Sequence, residues 1–250
     1  ALCLIAMEDL GDKDLWSLRK TSWKTRRTLY QKTLAMAHRL HSFPEKDFPS
    51  GRVRLTERFG PDLYRWERNY FRTHFVRNVC GIDLKPSVDR ALEVELSGLA
   101  ERLSRTRCTL VHRDLQSQNV MIRDGNPFLI DFQGMRFGSP FYDLGSLLCD
   151  PYVNFSSNEL DELLSFYYGL GKRDMNWSTF QNTFWEASSQ RLMQALGAYG
   201  FLGLEKGFKG FLKHIPKGLR NLQRAVSQVA SLSRLQKLSS ECQRRVDQKR

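Results

Sequence analysis

Apolar residues recur every three or four positions along most of the chain, which is the spacing of amphipathic helices. The most regular stretch starts at Pro86, where Ser87 is a suitable N-cap. Its apolar stripe consists of Val88, Leu92, Leu96, Leu99 and Leu103. Further helices are predicted over residues 14–41 with a break near Thr21 or Ser22, 62–77, 143–149, 159–168, 177–199 and 217–238. The Pro- and Gly-containing stretches 43–60 and 200–210 are expected to be loops, so the pattern predicts a mostly helical chain.

Two of these helices carry polar residues that matter later. In the helix over 62–77, an aromatic stripe is expected to face the core, and the intervening charged residues are expected to face solvent. The stripe is Leu63, Trp66, Tyr70, His74 and Phe75, and the charged residues are Arg65, Glu67, Arg68 and Arg72. In the helix over 177–199, Gln190, Arg191 and Gln194 share one face. That face is either a plain polar surface or one that touches substrate or nucleotide.

The pattern changes to strands in one short region. Residues 120–122 and 128–130 are apolar and partly β-branched, and Asp124-Gly125-Asn126-Pro127 between them has strong turn chemistry. The sequence therefore predicts a tight hairpin. Asn119 directly precedes its first strand and Asp131 directly follows its second, so both are expected at the same open end.

The residues around this hairpin have the order of a phosphotransfer site. His112-Arg113-Asp114 is followed by Asn119 five residues after the aspartate, and by Asp131 twelve residues later. A carboxylate at Asp114 can orient a hydroxyl and accept its proton. Oxygen atoms of Asn119 and Asp131 are hard ligands of the kind that Mg²⁺ prefers. Each residue alone has an ordinary explanation, as a surface tripeptide or a cap, but the set favours phosphotransfer.

Composition and charge narrow the possibilities. The 250 residues are 41% hydrophobic with 16 Phe and 5 Trp, which is enough for a core. The five cysteines have no paired spacing, which argues against a disulfide framework or a zinc site and favours a reducing cytoplasm. The net charge of +12 comes without a nucleic-acid motif, and we interpret it as a solvated basic surface with anionic ATP as ligand. No apolar run reaches the roughly 18–20 residues of a membrane helix, and residues 1–7 lack the basic leader of a signal peptide.

The motifs resemble those of the aminoglycoside phosphotransferase/choline kinase family of small-molecule kinases. They are residues 112–119 (His-Arg-Asp-Leu-Gln-Ser-Gln-Asn), 131–134 (Asp-Phe-Gln-Gly) and 142–144 (Tyr-Asp-Leu). With residues 150–153 (Asp-Pro-Tyr-Val) they are most similar to bacterial cell-wall kinases that phosphorylate the anomeric hydroxyl of N-acetylmuramate or N-acetylglucosamine. The resemblance covers residues 4 to 205 and implies ATP and Mg²⁺ as cofactors. It also implies an α+β fold, the mostly helical C-terminal lobe of a protein-kinase-like (aminoglycoside phosphotransferase) fold with a small catalytic β-hairpin.

The resemblance also implies a division of the chain. Residues 1–12 would be the end of an N-terminal lobe and the hinge between lobes, where Glu8, Asp9 and Leu10 meet the adenine. Residues 13–238 would be the catalytic lobe, and residues 239–250 a charged, disordered tail. The chain contains neither a glycine-rich phosphate loop nor a strand lysine with a partner glutamate. We therefore expect an N-terminal lobe in cis before Ala1.

Further residue roles follow from the resemblance. His112 and Asp143 are expected to support the catalytic loop, and the acceptor is expected to contact Arg113, Gln116, Gln133 and Glu159. Only eleven residues separate Asp131 from Asp143, and no Ala-Pro-Glu anchor follows. Because this leaves little platform for a peptide, the acceptor should be a small molecule.

Two alternatives remain beside a sugar kinase. An aminoglycoside or choline-type kinase would need an acidic pocket for its cation, and the only acidic cluster is Glu159, Asp161 and Glu162. The glutamine-rich loop offers neutral amides suited to sugar hydroxyls and acetamido groups. A non-catalytic pseudokinase module is the other alternative, and intact Asp114, Asn119 and Asp131 argue against it.

Overall fold

The computed structural model describes residues 8–171 and 175–248, and these are mostly helical. The main elements in chain order are α1 (Trp23–His41), α2 (Pro61–Tyr70), α3 (Pro86–Ser104), β1 (Thr109–Val111), β2 (Val120–Arg123), β3 (Asn126–Leu129), β4 (Arg136–Gly138), α4 (Pro140–Leu148), α5 (Ser157–Gly169), α6 (Trp177–Gly200), α7 (Ile215–Ser227) and α8 (Ser233–Gln248). A π-helical turn, Phe71–Arg77, continues α2. No helix of the described residues is long and apolar enough to span a bilayer. Residues 1–7, expected to belong to the end of an N-terminal lobe, lie outside the described residues.

The helix α6 is the centre of the packing. It contacts α2, α4 and α7 along its length, and 18 of its residues are buried. A helix that is covered on every side needs no polar face, which is why its sequence shows only weak periodicity. The polar residues that it does carry must therefore find partners inside the protein.

The close contact between α6 and the turn after α2 depends on a glycine. A Cβ atom on Gly200 would lie 2.2 Å from the carbonyl oxygen of His74. We expect Gly200→Ala to lower the free energy of unfolding by about 1–3 kcal/mol, because the backbone must move apart. Urea denaturation measures the change. Gly169→Ala at the end of α5 is the matched control, since its Cβ would meet nothing within 4 Å. Equal midpoints for the two variants would contradict the close contact.

The predicted hairpin is confirmed. β2 and β3 pair antiparallel with Val120 opposite Leu129. Asp124 and Gly125 form a two-residue turn with φ of 52° and 71°, both in the left-handed region that such turns require. The turn is shorter than predicted, because Asn126 and Pro127 belong to β3. A second antiparallel pair joins β1 and β4, with Leu110 opposite Phe137.

The predicted orientation of α2 is wrong for Trp66, Glu67 and Arg68, although Arg65 is exposed as predicted. Glu67 and Arg68 were expected to face solvent, but each is only 1% exposed, whereas Trp66 is 51% exposed. The reason is that the buried charges have partners on other helices. Arg68 binds Glu93 of α3, and Glu67 accepts hydrogen bonds from Tyr142 (2.6 Å) and Gln190 (2.9 Å).

The C-terminal segment also differs from expectation. Residues 239–248, predicted to be a disordered tail, form the second half of α8. Cys242 and Val246 on this helix are buried, because α8 packs its apolar side against α7 and α3. Apolar residues four apart in a charged sequence are sufficient to anchor a helix when a neighbouring surface covers them.

Candidate active site

The loop of residues 112–119, predicted to be the catalytic loop, is held by a buried carboxylate at the start of α4. Asp143 accepts hydrogen bonds from the backbone amides of His112 (2.7 Å) and Arg113 (2.8 Å). Nε2 of His41, on α1, lies 3.0 Å from the same carboxylate. Arg113 has a φ of 78°, a strained conformation for a residue with a side chain. Asp143 therefore fixes a bend that the loop would not adopt alone.

The charge state of Asp143 follows from these contacts. Burial alone would raise the pKa of the Asp143 carboxyl. The net effect is a lowered pKa, because the hydrogen bond and charge of His41 oppose burial, as do the charge and backbone amide of His112. Asp143 is thus an ionised group in the protein interior. His112 adds a second link, since its Nε2 lies 2.9 Å from the carbonyl oxygen of Ile130 beside Asp131.

A second buried carboxylate holds the other end of the loop. Asp150 accepts from the amide (2.8 Å) and hydroxyl (2.6 Å) of Ser117 and from the amide of Tyr152 (2.8 Å). Burial raises the pKa of Asp150 to about 6, against the opposing effect of these hydrogen bonds. Asp150 has no role predicted from the sequence. Its position directly before Pro151 in the motif was the only signal available.

The two oxygens of Asp114 differ in their surroundings. Oδ1 accepts from Nε2 of Gln116 (2.7 Å) and from Nη2 of Arg191 (2.7 Å). Oδ2 has no hydrogen-bond partner among residues 8–171 and 175–248. The side chain of Asp114 is 28% exposed, so this oxygen is accessible. A carboxylate held by one oxygen and open at the other suits proton acceptance from a bound hydroxyl.

Asn119 and Asp131 flank the open end of the hairpin, and Asn119 is hydrogen-bonded to the backbone of Asp114. The side-chain Nδ2 of Asn119 donates to the backbone carbonyl of Asp114 (2.9 Å). The backbone carbonyl of Asn119 accepts from the backbone amide of Ile130 (3.0 Å). Nε2 of Gln133 donates to Oδ1 of Asp131. One side-chain oxygen on Asn119 and one on Asp131 are left without partners in the described chain.

These two free oxygens fit a magnesium ion that obtains its remaining ligands from phosphates and water. The described residues contain no cluster of three or more His, Cys, Asp or Glu side chains able to hold a metal. A closed metal site built from protein ligands alone is therefore not formed by the described residues. Asn119 and Asp131 fit an ion that arrives with a nucleotide.

The predicted hinge residues border a cleft on the hairpin side. Glu8 and Leu10 line an open cavity of about 900 Å³ together with Phe128 and Leu129 of β3. The carbonyl of Asp9 accepts from Arg123 (3.0 Å), and Glu8 forms an ion pair with the same arginine. The segment is therefore fixed against the catalytic hairpin.

The predicted acceptor contacts are only partly brought together. Gln116 and Gln133 contact Asp114 and Asp131 directly. Glu159 instead lies at the start of α5, where it binds Arg26 (2.9 Å) and caps the helix with Ser156. It has no hydrogen bond or ion pair to Asp114, Asn119 or Asp131.

Arg113 borders a second cavity, of about 560 Å³, next to the catalytic loop. Trp66 and Glu67 of α2 form one wall, and Arg136 of β4 lies opposite. Arg136 donates to the carbonyl of Gly134 (3.1 Å). In the described part of the chain, neither Arg113 nor Arg136 forms an ion pair with a carboxylate. The volume suits a ligand of monosaccharide size.

The polar residues of α6 are not a solvated face. Gln190, Arg191 and Gln194 are all buried, and Arg191 and Gln190 contact Asp114 and Glu67. Helical periodicity placed them together but could not show that other elements cover them. The expectation of a plain polar surface is therefore wrong, because Arg191 of this face contacts Asp114.

The chain is similar in sequence to curated bacterial proteins. An N-acetylmuramate/N-acetylglucosamine kinase of Neisseria meningitidis is 27% identical over 175 residues, covering 68% of this chain and 52% of the relative. The enzyme of the same name from Pseudomonas aeruginosa is 28% identical over 138 residues, covering 51% of this chain and 39% of the relative. This chain thus spans about half the length, or less, of these curated relatives.

Solved structures share the fold at low identity. A choline/ethanolamine kinase family protein from Mesorhizobium loti superposes with a TM-score of 0.57 at 15% identity, covering 89% of this chain and 68% of that one. An ADP-bound aminoglycoside phosphotransferase gives 0.54 at 16% identity, covering 88% and 71%. The predicted fold class is therefore confirmed. Because a model described as the phosphotransferase enzyme family matches residues 2–177, more than half of the sequence, the chain belongs to that family.

Proposed function

We propose that this chain is the catalytic part of an ATP- and Mg²⁺-dependent kinase that phosphorylates a hydroxyl of a small molecule. The observation that carries the proposal is the unpartnered oxygen of Asp114, on a loop to which Asn119 is hydrogen-bonded. Asn119 and Asp131, at the open end of the hairpin, each have an unpartnered side-chain oxygen as well. Family membership and nucleotide-bound structural neighbours support it. The free, buried Cys80, Cys149 and Cys242 favour a reducing cytoplasm as the place of action.

In the proposed mechanism, Oδ2 of Asp114 accepts a hydrogen bond from the acceptor hydroxyl and orients it toward the γ-phosphorus. It takes the proton as the new bond from oxygen to phosphorus forms and the bond from the γ-phosphorus to the leaving ADP breaks. Asn119 and Asp131 would hold magnesium, which neutralises charge on the phosphates. Glu8, Asp9 and Leu10 would border the adenine. Asp143 and His112 would hold the backbone of the loop that carries Asp114 in place during the reaction.

For the acceptor we propose the anomeric hydroxyl of a cell-wall amino sugar. Three distant relatives carry the name of N-acetylmuramate/N-acetylglucosamine kinases. The cavity beside Arg113 is lined by three arginines, Arg58, Arg113 and Arg136, and by three acidic residues, Glu57, Asp62 and Glu67. The amides of Gln116 and Gln133, bonded to Asp114 and Asp131, suit sugar hydroxyl and acetamido groups.

The test is an acceptor panel with the complete protein that carries this chain. Phosphate transfer from ATP would be measured with N-acetylmuramate, N-acetylglucosamine, choline and kanamycin at equal concentrations. We expect turnover with the sugars. Turnover of only the two cations would replace the sugar assignment by an aminoglycoside or choline-type kinase. Absence of Mg²⁺-dependent ATP binding would indicate the pseudokinase alternative.

The metal assignment gives a separate prediction. Asp131→Asn should raise the Mg²⁺ concentration for half-maximal activity by at least about tenfold, because even outer-shell partners of a metal are worth 10–100-fold in affinity. Magnesium titration of the sugar kinase activity measures the shift. Asp124→Asn at the hairpin turn is the matched control, since it is an exposed aspartate at the other end of the same hairpin. An unchanged magnesium requirement in Asp131→Asn would remove Asp131 from the metal site.

A further inference from the structure

Arg191 joins the core of the protein to the candidate base. Its side chain is 6% exposed, and its guanidinium donates through three different nitrogens. Nε donates to Oγ of Ser146 (2.8 Å), Nη1 to Oε1 of Gln194 (2.6 Å), and Nη2 to Oδ1 of Asp114 (2.7 Å). The group is therefore fixed in one orientation by two helices, α4 and α6.

The ion pair joins a buried cation to a partly exposed carboxylate. Burying a guanidinium is costly unless a carboxylate compensates it, and pairs inside proteins are often no better than apolar residues for stability. Asp114 is the only carboxylate in the described chain that forms an ion pair with Arg191, yet its side chain is 28% exposed and lies on the catalytic loop. The buried guanidinium of Arg191 is thus paired with the partly exposed carboxylate of Asp114.

The contact determines which oxygen of Asp114 is free. Two donors, Arg191 from below and Gln116 from within the loop, meet at Oδ1. Rotation of the carboxylate would break both bonds and leave the buried charge of Arg191 uncompensated. Oδ2 is therefore held in the outward position.

We propose that Arg191 is a positioning residue for phosphotransfer, which anchors Oδ1 of Asp114 so that Oδ2 faces the acceptor hydroxyl. The inference rests on the proposed function and adds a residue from α6, 77 positions beyond the base, to the catalytic machinery. In this role the side chain of Arg191 acts through Asp114 and touches neither the acceptor nor the nucleotide.

The test is a double-mutant cycle in the complete protein, with the sugar that gives the highest turnover. Arg191→Met should lower kcat by about 10–100-fold while the KM values for ATP and sugar change by less than about threefold. In the Asp114→Asn background, the same change should have little further effect, because both act on one oxygen. Arg191→Lys, which keeps the charge and one donor, should recover part of the kcat.

Chemical rescue and a matched control separate positioning from folding. Millimolar guanidinium should raise the kcat of Arg191→Ala in a saturable way, since the ion can occupy the vacated site. Arg68→Met is the control, because Arg68 is equally buried and is paired with Glu93 away from the catalytic loop. It should lower thermal stability without lowering the kcat of the folded fraction and without rescue by guanidinium.

The outcomes distinguish this inference from the proposed function. If the wild-type protein phosphorylates a sugar and Arg191→Met does so at full kcat, the positioning role is wrong and the kinase assignment stands. Additive effects of Arg191→Met and Asp114→Asn, or a loss confined to KM, would likewise overturn it. If the wild-type protein turns over no acceptor, the proposed function fails and the positioning role falls with it.

Discussion

Replacing Asp114 with asparagine is expected to lower kcat by about 10²–10⁴-fold, the range that a general base contributes. Asparagine has nearly the same shape, and its Oδ1 can still accept from Gln116 and Arg191. Its outward atom is then an amide nitrogen, which donates a hydrogen bond and cannot take the proton of the acceptor hydroxyl. The variant should fold with reduced stability, because Arg191 keeps its hydrogen bond but loses its ion-pair partner, while the chemical step slows. Initial rates with saturating ATP and sugar measure the effect in the complete protein.

Two measurements make this result specific. ATP affinity of Asp114→Asn should stay within about threefold of wild type, because Asn119 and Asp131 remain available for metal. Asp124→Asn should have wild-type kcat, since Asp124 lies at the turn of the hairpin, away from its open end. If Asp114→Asn retained most of its activity, another group would have to accept the proton, and the assignment of the loop would be wrong.

The parts of the site that could be predicted from sequence are those set by local structure. The turn at Asp124-Gly125 requires left-handed conformations that these residues tolerate, so the hairpin and its register follow from a few adjacent positions. Asn119 and Asp131 then lie at its open end as a geometric consequence. The helix α3 was predictable for a similar reason, because its buried Leu92, Leu96, Leu99 and Leu103 repeat at helical spacing.

The parts that could not be predicted depend on partners distant in sequence. Glu67 is buried because Tyr142 and Gln190, 75 and 123 positions away, supply its hydrogen bonds. Arg191 is buried because Asp114 and Ser146 lie opposite it. Charged residues in a helical pattern are normally predicted to face solvent. That prediction fails for a helix that several other helices surround, as they surround α6. The polar network under the catalytic loop therefore becomes visible only in three dimensions.

The same network predicts the largest loss of stability, at Asp143. Asp143→Ala should lower the free energy of unfolding by about 3–5 kcal/mol, the usual cost of removing one partner of a buried charged pair. The change leaves the amides of His112 and Arg113, and His41, without their acceptor. Chemical denaturation measures it. Asp83→Ala is the control, because Asp83 is 86% exposed and pairs with Arg77 at the surface, where such pairs are worth about 0–1 kcal/mol.

The pH dependence of this loss follows from the lowered pKa of Asp143. A carboxyl whose pKa is lower in the folded than in the unfolded protein contributes stability above its unfolded value of about 3.9. That contribution is lost as pH falls through the folded value. The difference between wild type and Asp143→Ala should therefore be constant from about pH 5 to 7 and shrink below about pH 4. A difference that grew in acid would show that Asp143 is protonated in the folded protein, and that a neutral carboxyl, rather than an anion, holds the catalytic loop.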